Sequence, residues 1–200
     1  MTRRFAVTWD YRCPFARNIH EHLVVALAAG ADWQVEFWPF SLNQVHVEEG
    51  HPDVWGDPDK ASGLLAMQVG ISVRDHFPAA FPAVHCALLA ARHDEARDIR
   101  DEAVVRAVLK EQDVDADAVM ADVAGGRTMT VFEKAHNDAV TDHGVFGVPT
   151  FVVDGQSVFI RVMHRPSDDP SDSISTIERL LDLTVGWTDL NEFKHTSIQR

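Results

Sequence analysis

Apolar positions in this chain change their spacing several times, and each change marks a new element. Phe5-Ala6-Val7-Thr8-Trp9 is a short, nearly continuous apolar run that predicts a strand. Ile19, Leu23, Val24 and Leu27 then fall within a helical stretch. Trp33, Val35 and Phe37 alternate with Gln34 and Glu36, which predicts a half-buried strand ended by Pro39. Gly50, Pro52, Gly56 and Pro58 mark a long irregular connection. From about Lys60 to Val123 the pattern is helical. Leu64, Leu65, Met67, Val69 and Ile71 form one segment, ended before Pro78, and Val84 to Leu89 form the next. Arg92 to Gln112 reads as helix, charged on one side, with Ile99, Ala103, Val104, Ala107 and Val108 on the other. Asp115 is placed to cap a shorter helix carrying Val119, Met120 and Val123. After Gly125-Gly126, Thr130 to His143 is again helical. Thr150-Phe151-Val152-Val153, the turn Asp154-Gly155 and Ser157 to Val162 read as a hairpin, and Ile174, Ile177, Leu180, Leu181 and Leu183 as a last helix. The order is βαβ, a helical block, then α-ββ-α.

Composition narrows the function classes. The net charge of −13, from 18 basic and 31 acidic side chains, argues against nucleic acid and against anionic membrane surfaces as partners. No apolar run approaches the length of a membrane span. Met1-Thr2-Arg3-Arg4 leads straight into the first strand pattern, so a cytoplasmic location is expected. Two cysteines imply no disulfide framework and suit a reducing compartment. Eleven histidines raise the question of a metal. However, His20 and His22 are two apart on a helix, His136 and His143 lie two turns apart, and no HExxH or paired CxxC exists, so no metal site is expected.

The chemistry concentrates in Cys13-Pro14-Phe15-Ala16, where a strand hands over to a helix. Unpaired N–H groups and the positive end of the helix dipole stabilise a thiolate there. Pro14 suits the first helical position, because its missing N–H would have had no partner. Cys13 is therefore expected to be an ionised nucleophile; the competing reading is a buried cysteine that packs as a small hydrophobe. Ala16 stands where a CxxC motif has its second thiol, so a mixed disulfide on Cys13 must wait for an external thiol. Cys86 is the candidate substitute, although its neighbours Val84, Leu88 and Leu89 equally suit a core cysteine.

Four segments carry a family resemblance: Cys13-Pro14-Phe15-Ala16, Pro39-Phe40-Ser41-Leu42-Asn43, Gly147-Val148-Pro149-Thr150-Phe151 and the Asp154-Gly155 hairpin. Together they make the chain resemble the DsbA-like thioredoxin-fold oxidoreductase superfamily. It is also similar to glutathione S-transferase kappa, 2-hydroxychromene-2-carboxylate isomerase and mycothiol-dependent nitroreductase-type members, the last through the extension ending around Phe193-Lys194-His195-Thr196. The resemblance implies an α/β thioredoxin-like fold with an inserted helical domain. Its two halves would cover residues 1–42 and 127–186, with the insertion at 43–126 and a C-terminal extension at 187–200. It implies a cis bond at Val148-Pro149, with the Val148 backbone beside the sulfur. Cys13 would be catalytic, and Pro14, Phe15, Val148, Pro149, Asn43 and Arg12 would bind substrate, with Phe15 as an apolar rim. Arg12 and Arg17 each have the alternative of a solvated surface arginine. Cys86 would lie in a helical roof over the site.

Three readings follow. The first is a monothiol oxidoreductase acting on a small-molecule thiol or disulfide, with no tightly bound cofactor and glutathione or mycothiol as co-substrate. In the second, a transferase or isomerase, the small thiol itself is the nucleophile and residue 13 only stabilises its thiolate; relatives of that type often carry serine there. The third is a non-catalytic binding module. A homodimer is compatible with all three.

Overall fold

The computed structural model of the chain describes residues 2–57 and 63–195. Met1, Pro58, Lys60 and Thr196, named above, lie outside them. Phe5 to Trp9 are buried at every position, as a central strand covered on both faces requires. This strand, β1 (Arg3–Trp9), pairs in parallel with β2 (Trp33–Pro39) across the helix α1 (Pro14–Ala28). Its other side meets β3 (Thr150–Val153) antiparallel, and β3 turns into β4 (Gln156–Phe159), giving the order β2-β1-β3-β4. Asp154 and Gly155 both take positive φ, +48° and +77°, which the two-residue hairpin turn demands. The sheet is mixed, and the architecture is α/β.

α1 and the last helix, α8 (Pro170–Gly186), cover one face through Phe5, Val7, Ile19, Leu23, Phe151, Ile177 and Leu181. On the other face Ala6, Phe40, Val148 and Val152 pack with Ala139 of the long helix α7 (Arg127–His143). The remaining helices are α2 (Leu42–Val45), α3 (Leu64–His76), α4 (Phe81–His93), α5 (Glu102–Glu111) and α6 (Ala116–Ala124). Helices α3 to α6 build a core of their own, and Trp9 and Tyr11, from the end of β1 and the loop after it, are fully buried in it. Phe132 of α7 belongs to that core, while Ala139 belongs to the sheet. The boundary expected at 126–127 thus falls at the start of a helix that serves both cores.

Two expectations are corrected. Arg92 to Gln112 is not one helix: α4 ends at His93 and α5 begins at Glu102, where Asp101 accepts a bond from the Ala103 N–H. Between them Ala96 takes φ +54°, left-handed backbone that breaks a right-handed helix. Ile99 suggested continuity because it is apolar at the right spacing; it is buried without being helical. The returning strand is also shorter than Ser157 to Val162, although Val162 still reaches the core beneath α1 and α8.

Candidate active site

Cys13 is the N-cap of α1, with extended backbone and Pro14 at the first helical position. Its Sγ accepts a bond from the Ala16 N–H at 3.4 Å, and its thiol donates to the Val148 carbonyl at 3.3 Å. The sulfur is therefore held between a helix start and the loop ahead of β3. That loop is anchored from below. The Thr150 N–H donates to Thr8 Oγ1 at 2.8 Å, and the Thr150 hydroxyl donates to the Gly147 carbonyl at 2.8 Å. Thr8 lies on β1, so the strand that precedes Cys13 also fixes the segment facing it. The Val148–Pro149 peptide bond is cis.

Electrostatics around the sulfur differ from the expectation of an ionised thiol. Cys13 is 7% exposed, and this burial is the largest influence on its pKa, which it pushes up. The N–H groups of Ala16 and Phe15 act the other way, as does the charge of Arg161, while Asp10 adds to the rise. The net direction is upward, so the resting group is a thiol. The helix start is present as expected; desolvation outweighs it.

The other proposed residues divide into two sets. Pro14 is exposed, Phe15 half-buried, and Val148 and Pro149 buried, all around Cys13. Arg12 and Asn43 meet each other instead: the Arg12 guanidinium donates to Asn43 Oδ1 and, at 2.9 Å, to Asp10 Oδ2. Buried Asp10 also accepts from the Leu42 N–H at 2.9 Å, so this cluster ties the loop before α1 to the start of α2. Arg17 pairs with Glu21 and Asp94, and Arg165 joins the same two carboxylates, on the side of α1 that meets α4. Cys86 sits in that region, where burial and then the Glu21 charge push its thiol up to about 12. Trp9 is buried in the helical core. Among the described residues no group of three His, Cys, Asp or Glu side chains is placed to hold a metal ion.

Sequence reasoning missed Arg161. Its guanidinium lies 5.3 Å from the Phe15 ring centre and 5.2 Å from that of Phe159, a cation between two aromatic faces beside the sulfur. A signal was present. The Asp154-Gly155 turn pairs Val153 with Gln156 and Thr150 with Phe159. Beyond it the Ile160 N–H donates to the Pro149 carbonyl at 3.1 Å, so Arg161 follows directly beside the segment of Val148. Phe159 in turn packs on Phe146, at 5.3 Å between ring centres. Phe146, Val45, Val140 and Val145 line a groove of about 400 Å³ between α2 and α7.

Comparison with known proteins agrees with this geometry. Residues 79–171 match the DSBA-like thioredoxin domain family. An uncharacterised protein of Mycobacterium tuberculosis, Rv2286c, is 27% identical over 82% of this chain and 70% of its own length. Among solved structures, the cytosolic disulfide reductase DsbM from Pseudomonas aeruginosa superimposes with a TM-score of 0.61 at 16% identity, over 90% of this chain and 99% of that one. Pseudomonas aeruginosa DsbA gives 0.59 at 18% identity, over 94% and 86%. At such identities the structural likeness is one of fold. Residues 79–171 thus match the DSBA-like thioredoxin domain family, and the chain as a whole is similar in fold to DsbA-like structures.

Proposed function

We propose that this protein is a monothiol disulfide reductase, working with a small thiol such as glutathione or mycothiol. The observation that carries the reading is Cys13 Sγ, capped by the Ala16 N–H and facing the Val148 carbonyl. In the cycle, the Cys13 thiolate attacks the small-thiol sulfur of a mixed disulfide. A Cys13–small-thiol disulfide forms, the substrate S–S bond breaks, and the substrate leaves as a thiolate that takes a proton. A second small thiol then attacks the adduct, releasing the oxidised small thiol and returning Cys13. Ala16 offers no internal resolving thiol, which fits this external step.

The raised pKa of Cys13 supports the reducing direction. A thiol of high pKa is a poor leaving group, so its mixed disulfide persists until an incoming thiol resolves it. The name of DsbM, a cytosolic disulfide reductase, fits both that direction and a cytoplasmic setting for this chain. Substrate enters where Val148 presents its carbonyl. An extended substrate that bonds there displaces the Cys13 S–H contact as it docks. Pro14 and Phe15 form the rim, and Arg12 and Asn43 hold the floor rather than touch the substrate.

The raised pKa also favours a second reading, in which Cys13 only donates a hydrogen bond to a bound small thiol that does the chemistry. Cys13→Ser separates the two. Loss of turnover on mixed disulfides, together with loss of the adduct seen by intact mass, supports the reductase. Retained turnover with a small thiol and an electrophile sinks it in favour of the transferase.

A further inference from the structure

Most cations near the site are spoken for. Arg12 bonds Asp10, Arg17 bonds Glu21 and Asp94, and Arg165 bonds Glu21 and Asp94. Arg161 is different: it is exposed, it lies between the Phe15 and Phe159 rings, and among the described residues it makes no ion pair or hydrogen bond. In a chain of net charge −13, such a cation beside the reactive sulfur is a local exception. Stacking on rings occupies the faces of a guanidinium and leaves its edge of N–H donors free. That edge matches a planar carboxylate in two parallel bonds. Position fits as well: the Ile160 N–H donates to the Pro149 carbonyl at 3.1 Å, so Arg161 follows directly beside the segment of Val148, the residue whose carbonyl already touches Cys13 Sγ.

We infer that Arg161 binds the carboxylate of the small thiol whose sulfur bonds to Cys13, so the site selects carboxylate-bearing thiols over neutral ones. This rests on the reductase reading and names its co-substrate class. Phe15 and Phe159 hold the guanidinium in place, and the α1 N-terminus holds the sulfur. The bound thiol would then lie across the Phe15 rim with its charged end on Arg161. The reaction is the exchange already described: a Cys13–S–S bond forms, the S–S bond of the incoming disulfide breaks, and the departing thiolate takes up a proton.

The test uses two symmetric disulfides of similar size, the dianionic dithiodipropionate and the neutral hydroxyethyl disulfide. Mixed-disulfide formation on Cys13 is followed by intact mass, with peptide mapping to separate Cys86. Each rate is normalised to that of free mercaptoethanol with the same disulfide. The anionic-to-neutral ratio cancels any change in the fraction of Cys13 ionised, so it reads recognition alone. The wild-type ratio should be about tenfold, fall to near one in Arg161→Gln, and recover partly in Arg161→Lys. A ratio unchanged by Arg161→Gln overturns the inference. If neither disulfide modifies wild-type Cys13, the reductase reading fails by itself. Calorimetric titration with reduced glutathione then decides the Arg161 assignment. Binding lost in Arg161→Gln supports it, and absent or equal binding in wild type and variant overturns it.

Discussion

Cys13 shows how two ordinary effects compete at one atom. A helix start and its N–H groups lower a thiol pKa; removal from water raises it, and here the second wins. Alkylation of Cys13 against pH should therefore give a midpoint above the ordinary thiol value of about 8.5. Cys86, pushed up to about 12, should react more slowly still at neutral pH. A Cys13 midpoint well below the ordinary value would contradict the dominance of burial and favour an oxidising enzyme. A second contest is at Gly70, inside α3. Replacing it with Ala gains about 1 kcal/mol of helix propensity. Against that, a Cβ there would lie 2.4 Å from the Tyr11 hydroxyl oxygen and 3.0 Å from its ring, and Tyr11 is fully buried. The clash is with a rigid ring already in a hydrogen bond, so it outweighs the propensity. Gly70→Ala should lose about 1–3 kcal/mol in urea unfolding, whereas a neutral or stabilised variant would mean that Tyr11 can move aside.

Helices α1 and α4 are joined by a buried hydrogen-bonded chain whose direction is fixed at one end. The Thr8 carbonyl can only accept, so His20 Nε2, at 3.1 Å, carries the hydrogen. His20 Nδ1 then accepts from His85 Nε2 at 2.9 Å, and His85 Nδ1 accepts from the Tyr11 hydroxyl at 2.9 Å. Every ring nitrogen is satisfied with both histidines neutral. Substituting His85 by Leu strands the Tyr11 hydroxyl and His20 Nδ1 in the core. The expected cost is about 2–4 kcal/mol. Adding Tyr11→Phe to that variant should cost less than Tyr11→Phe alone in the wild type, since the partner is already gone. Additive losses would show that the two do not interact. Little of this chain was legible beforehand. His20 could be set on α1 from spacing, but its meeting with His85, 65 residues away, depends on how the inserted helices dock. The elements themselves were legible because the β1 run, the α1 stripe and the Asp154-Gly155 turn are local signals. The break at 94–101 was not, because buried Ile99 keeps helical spacing in a segment that is not helix.

At the scale of the molecule, the same logic divides the site. Cys13 and Phe15 at the start of α1 come together with Val148 in the segment before β3, because both segments follow or precede strands that are paired in the sheet. Arg12 and Asn43 also come together, but on Asp10, because a buried carboxylate claims the nearest cation. Sequence spacing does not reveal that claim. The neutral histidines carry a consequence for the whole fold. Burial lowers His20 to about 4 and His85 well below the usual imidazole value, with the His20 charge adding to the latter. In the unfolded chain both take a proton as pH falls below about 6.5, while the folded state refuses it. Stability is therefore full above that pH and declines as pH falls toward 4; His20 alone accounts for about 3 kcal/mol over that window. The paired carboxylates Asp75 and Asp122, held below their usual range by hydrogen bonds and charges from arginines, give way only at lower pH. Urea midpoints measured from pH 8 to pH 4.5 should fall steadily below pH 6.5. Replacing both histidines, His20→Phe with His85→Leu, should flatten part of that slope, leaving the share due to His22, His93 and His136, which burial also lowers. An undiminished slope in the double variant would mean that the two rings are not held neutral in the folded protein, and the direction assigned to their hydrogen bonds would fall with it.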